Sequence, residues 1–206
     1  MKRSVLVTGF EPFGGAKTNP SADLVAALQG QTIRGRVIAS ATLPVEFGTS
    51  RRMLARALRE VQPELVICFG LAGNRTAFSL ERIAVNIDDA RIPDNAGQQP
   101  VDTPILQRGP AAYWSTLPVK AMAKALRDAD IPAEVSQTAG TYVCNHVFYG
   151  LMSLLRRRPG VRGGFIHVPL PRAAFDLPRM IRAAEIVIDT ALRTKRDLRV
   201  PGGAVS

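Results

Sequence analysis

Leu65-Val66-Ile67-Cys68-Phe69-Gly70 carries no charge and no polar break. A continuous apolar run of this kind marks a central strand covered on both faces. Upstream, Met53, Leu54, Ala57, Leu58 and Val61 fall at helical spacing, so Thr49 or Ser50 to Val61 is a helix. Val37 to Leu43 reads as a strand, and Val5 to Phe10 as a buried first strand. Between these two strands Asn19 is placed to cap a helix that Pro20 starts and that carries Leu24, Val25 and Leu28 on one face. Downstream, Leu80 to Asp88 alternates at Ile83, Val85 and Ile87 and predicts a half-exposed strand or hairpin. A turn-rich loop, Arg91 to Gly97, follows. Pro118 to Asp128 is a helix, Ala133 to Gln137 a strand, Gly163 to Val168 a strand, and Met180 to Leu192 an amphipathic helix. Strands and helices alternate without repeat or linker. The expected fold is α/β: one domain over residues 1–206, a mostly parallel twisted sheet sandwiched between helices on both faces.

The chain has 206 residues, 46% apolar and 21% charged, enough for a sizeable core in an ordinary globular balance. No apolar run reaches membrane-spanning length, and the run after Met1-Lys2-Arg3 is too short for a signal peptide. A cytoplasmic protein without membrane attachment is expected. Cys68 and Cys144 form no CxxC pair, which fits a reducing compartment. With two histidines and two scattered cysteines, no protein-built metal site is expected. GxSxG, GxxxxGK[ST], GxGxxG after a strand and HExxH are all missing. The net charge of +10 raises a nucleic-acid partner as an alternative. Its densest groups, Arg156 to Arg158 and Arg193 to Arg199, fall at predicted helix C-termini without interleaved aromatics, so a solvated basic surface is expected instead.

Chemistry concentrates in Gly140-Thr141-Tyr142-Val143-Cys144-Asn145-His146. Val143, Val147, Leu151, Leu154 and Leu155 are helically spaced, and Arg156-Arg157-Arg158-Pro159-Gly160 ends the helix. Cys144 therefore lies in the first turn or just before it, where unpaired N–H groups and the helix dipole favour a thiolate and can hold an oxyanion. A free cysteine is most often a small buried hydrophobe, so a nucleophile requires a base. His146, two residues along the helix, points away from Cys144. His167 ends a strand that stops at Pro169, and strand ends gather where helix N-termini do. Cys68, mid-strand, is inert core.

Four stretches together resemble the pyroglutamyl peptidase type I (pyrrolidone-carboxylate peptidase) family. They are Gly9-Phe10-Glu11-Pro12-Phe13-Gly14-Gly15 with Asn19-Pro20-Ser21, Gly70-Leu71-Ala72-Gly73 with Arg75, Glu81-Arg82 and Asn86, Arg91-Ile92-Pro93-Asp94-Asn95, and Cys144-Asn145-His146 with Gly164 to Pro169. The resemblance implies a cofactor-free cysteine exopeptidase that removes an N-terminal pyroglutamyl residue through a thioester. It implies a triad of Cys144, His167 and Glu81, with Arg91 beside the oxyanion. Phe10, Phe13, Leu71, Ile92, Tyr142 and Val143 would hold the lactam ring, and Asn19 would fix the loop. Peptides with an N-terminal pyroglutamyl residue are the implied partners, and a homo-oligomer, dimer or tetramer, the implied assembly. Leu71 stands where the family often has glutamine, Ala16 where some members have an aromatic, and Leu170-Pro171-Arg172 replaces an aromatic and Pro-Glu-Gln run. A basic binding module or a catalytically degenerate member is the competing expectation.

Overall fold

The computed structural model describes residues 4–171 and 175–203. The expectations on Met1 to Arg3 and on Arg172 lie outside them. The apolar run is β4 (Leu65–Leu71), buried along its length except at Leu71. It pairs in parallel with β1 (Ser4–Phe10) and with β9 (Arg162–Val168). β1 pairs in parallel with β3 (Arg36–Leu43), whose outer neighbour β2 (Thr32–Ile33) runs antiparallel. Beyond β9 lie β5 (Phe78–Glu81), antiparallel to it, and β8 (Ala133–Ser136), parallel to β5. The order is β2-β3-β1-β4-β9-β5-β8.

The helices cover both faces. One core gathers β4 residues Ile67 and Phe69 with Leu24 of α1 (Pro20–Leu28), Met122 of α3 (Val119–Arg127) and Val187 of α5 (Leu177–Arg193). The other gathers Val66, Cys68 and Phe165 with Leu54 of α2 (Thr49–Val61) and Val147 of α4 (Val143–Leu155). Residues alternate between the cores along β4 because successive strand side chains point to opposite faces.

The segment expected as a half-exposed strand or hairpin, Leu80 to Asp88, falls into two elements of different sheets. β5 is fully buried in the main sheet, and β6 (Ile83–Val85) pairs with β7 (Ala112–Trp114) in a separate two-stranded sheet. The break at Arg82 places Glu81 inside: it is 0% exposed. β2 and β7, too short for a period to register, were not expected from sequence.

Candidate active site

Cys144 is the second residue of α4, and the start of that helix is pinned from several directions. Asn145 is fully buried. Its Oδ1 accepts from the Val85 N–H at 3.0 Å and its amide donates to the Val85 and Ile87 carbonyls at 2.9 and 3.0 Å. Thr141 Oγ1 donates to the Asp89 carbonyl at 2.7 Å, and Asp89 N–H donates back to the Thr141 carbonyl at 2.9 Å. The helix has no side-chain N-cap. Its first N–H groups, that of Cys144 included, have no partner within the helix and are available to an anion.

The sheet aims His167 at the same place. Gly70 of β4 is in register with His167 of β9, so their side-chain directions share a face. A Cβ built on Gly70 would lie 3.0 Å from Cys144 Sγ and 2.7 Å from the Phe165 ring. Glycine at 70 thus leaves the thiol its room beside the histidine. No hydrogen bond joins Cys144 to His167 among the described residues. His167 is 4% exposed, and its Nδ1 lies 2.7 Å from Glu81 Oε1. The carboxylate accepts, so the proton is on Nδ1 and Nε2 carries the lone pair.

The helix start alone predicts a lowered thiol. The structure adds opposing effects: burial, then the Glu81 charge, push the Cys144 thiol up to about 12, while Arg75 draws it down. These effects oppose the pull of the helix start, so the sulfur relies on a neighbouring base to give up its proton.

A narrow apolar slot, with a cavity volume of about 10 Å³ in this structure, opens onto Cys144 and is lined by Phe10, Phe13, Asn19, Val45, Leu71, Tyr142 and Val143. Asn19 is already committed: Oδ1 accepts from Ser21 N–H and Oγ at 3.1 and 2.8 Å, and Nδ2 donates to the Glu11 carbonyl at 3.0 Å. Its N-capping fixes the loop carrying Phe13. Gly9 lets this loop close, since a Cβ there would fall 2.2 Å from the Ser21 carbonyl oxygen. Arg91 and Ile92 do not line the slot; both are exposed. Their loop touches it through Tyr142, whose hydroxyl donates to the Pro93 carbonyl at 3.1 Å. The wider groove by Gln31, Asp128 and Arg182 is open to solvent and holds neither cysteine nor histidine.

The sequence profile described as pyroglutamyl peptidase matches residues 3–194. The chain belongs to the pyroglutamyl peptidase family. It is 53% identical to the pyrrolidone-carboxylate peptidase of Klebsiella pneumoniae over 97% of this chain and 98% of that protein. The crystal structure of pyroglutamyl peptidase I from Bacillus amyloliquefaciens superposes with a TM-score of 0.93 at 42% identity, covering 98% of this chain and all of that one (100%). The pyrrolidone carboxyl peptidase of Thermococcus litoralis gives 0.93 at 38% identity, over 97% of this chain and 99% of that one. Membership in this peptidase family makes the chain a cysteine-peptidase-type hydrolase by descent. Among the described residues no helix is long and apolar enough to cross a membrane.

Two residues that sequence reasoning passed over belong to this site. Asn145 pins the cysteine helix, and its signal was its place between Cys144 and His146. Arg75 lies 2.6 Å from Glu81 Oε1 through Nη1, and its signal was its position six residues before Glu81 in the motif.

Proposed function

We propose that the protein hydrolyses the bond after an N-terminal pyroglutamyl residue, with Cys144 as nucleophile, His167 as base and then acid, and Glu81 as its anchor. The observation that carries this reading is the apolar slot ending on Cys144 Sγ, on the same sheet face as the buried His167–Glu81 pair. Sγ attacks the scissile exocyclic carbonyl carbon, the one that joins the seated ring to the leaving amine, while its proton passes to His167 Nε2. The new oxyanion faces the Cys144 backbone N–H at the start of α4. Collapse breaks the C–N bond, the amine leaves with the proton from Nε2, and a thioester remains. Water then loses a proton to Nε2 and attacks the thioester carbonyl. The free acid departs and the proton returns to Sγ. Glu81 keeps the Nδ1 proton in place and stabilises the transient imidazolium.

In this reading the loop of Arg91 and Ile92 folds over the bound ring and brings both side chains to it, Arg91 toward the oxyanion. Assembly as a dimer or tetramer belongs to the same reading and rests on the family resemblance, and a cytoplasmic location belongs to it on the ground of the two scattered cysteines.

The substrate is tested by rates. Phenyl and alkyl walls hold a pyroglutamyl or a prolyl ring by apolar contact alone. Backbone groups paired to the lactam would be left unpaired by proline, which also brings a charged amine into an apolar slot. The expected kcat/KM for a pyroglutamyl amide exceeds those of the matched prolyl and glutamyl amides by about 10⁴-fold. Prolyl cleavage within about tenfold of pyroglutamyl would overturn the assignment.

A further inference from the structure

Glu81 is the least solvated group of the site and is held by more than the histidine. Its Oε1 receives His167 Nδ1 at 2.7 Å and Arg75 Nη1 at 2.6 Å. Its Oε2 is buried with no hydrogen-bond partner among the described residues. A carboxylate 0% exposed with one oxygen unpaired is stable as an anion only beside a cation. Arg75 supplies that cation from the turn after β4, its side chain 20% exposed. The same guanidinium reaches the strand that leads to the cysteine helix. Nη1 also donates to Ser136 Oγ at 3.2 Å, and Nη2 donates to the Thr138 carbonyl at 2.8 Å. Thr138 Oγ1 in turn accepts from the Gly140 N–H at 3.0 Å, four residues before Cys144. One planar group therefore joins the carboxylate anchor of the base to the approach of the nucleophile.

We propose that Arg75 is the positioning residue of the triad: it holds Glu81 ionised and oriented, so that His167 keeps Nε2 free for the Cys144 proton. This inference rests on the triad reading above. Arg75 touches no reacting atom and acts through Glu81. The planar fork matters, because three acceptors on two segments, Glu81 on one and Ser136 and Thr138 on the other, are met at once, which an ammonium group cannot do.

The test is a double-variant cycle with a pyroglutamyl amide, measuring kcat and KM for wild type, Arg75→Met, Glu81→Gln and the combined variant, with thermal unfolding in parallel. Arg75→Met is expected to lower kcat by about 10- to 100-fold, as loss of an orienting partner does, with KM within about threefold. In the Glu81→Gln background the same change should alter kcat by no more than about twofold, because the group Arg75 acts on has already lost its charge. Arg75→Lys should recover part of kcat, and it carries the same cycle if Arg75→Met does not fold. Equal losses in both backgrounds would overturn the proposal, since Arg75 would then be shaping the Ser136–Thr138 segment independently of Glu81. Wild-type kcat in a folded Arg75→Met variant would also overturn it. Wild-type kcat in Glu81→Gln would strike the triad reading itself and remove the ground of this inference.

Discussion

The molecule contains two buried histidine–carboxylate pairs, one built on a helix residue, His146 of α4, and one on a strand residue, His167 of β9. His167 Nδ1 is 2.7 Å from Glu81; His146 Nδ1 is 2.8 Å from Asp88. The rings are 4% and 5% exposed, and each carboxylate has one oxygen buried without a hydrogen bond. By pairing and burial alone the two would be ranked equal. They differ at the far nitrogen. His146 Nε2 accepts the Gly48 N–H at 3.0 Å, which spends its lone pair at the start of α2. No described residue hydrogen-bonds His167 Nε2, and Cys144 Sγ lies on its face of the sheet. His146 also packs edge-on against Phe47 at 5.5 Å between centroids, a structural setting. A carboxylate fixes a histidine's tautomer, and the partner of the other nitrogen decides whether the histidine braces the fold or moves a proton.

The largest expected effect breaks the comparison at the base. His167→Ala should lower kcat/KM by about 10³-fold or more, since the thiol, held up to about 12, loses its proton acceptor. His146→Ala should leave kcat/KM within about threefold and instead lower stability by about 2–4 kcal/mol, as the buried Asp88 loses its partner and the half-buried Gly48 N–H its acceptor. Steady-state rates beside urea unfolding separate the two. A folded but dead His146→Ala together with an active His167→Ala would exchange their roles.

A smaller effect sharpens the matching contrast between the cysteines. Burial pushes the Cys68 thiol from an ordinary 9.0 to about 12, with Thr8 opposing. A group raised on folding stabilises fully below the unfolded pKa, and its contribution is lost as pH rises through the folded one. Stability should therefore fall from about pH 9 upward and reach its floor beyond about pH 12. Cys68→Val removes that share while Cys144 stays. At pH 10 the variant should have lost on the order of 1 kcal/mol less than wild type relative to neutral pH. Parallel stability curves for the two proteins would contradict the burial argument.

How much of this was legible in the sequence differs residue by residue. β4, α2 and α4 were readable because their apolar residues repeat at one period and their ends carry proline, glycine or arginine. Cys144 at a helix start and His167 at a strand end followed from the same local signals. Glu81 did not, because carboxylates are mostly exposed; only the family resemblance singled it out. The split at Arg82 was passed over because the alternation that was read, Ile83, Val85 and Ile87, lies wholly beyond it, while Phe78 and Leu80 before it fall on the other phase and belong to a different sheet. The pairing of His146 with Asp88 spans 58 residues, and that of Arg75 with Ser136 spans 61. Such contacts are made by the fold, and no local spacing announces them. Arg91 and Ile92 show the reverse: the motif marks them, yet both stand exposed beside the slot.

The central claim is that a pyroglutamyl group is carried on Cys144 and on no other residue. It is tested most directly by mixing the protein with a pyroglutamyl amide, quenching in acid within the first turnovers, and mapping the adduct by peptide mass. The expected result is a pyroglutamyl thioester on the Cys144 peptide, lost with time and absent in Cys144→Ser, with the Cys68 peptide unmodified throughout. Turnover of the amide with the acyl group on Cys68, or with full activity retained in Cys144→Ser, would contradict it.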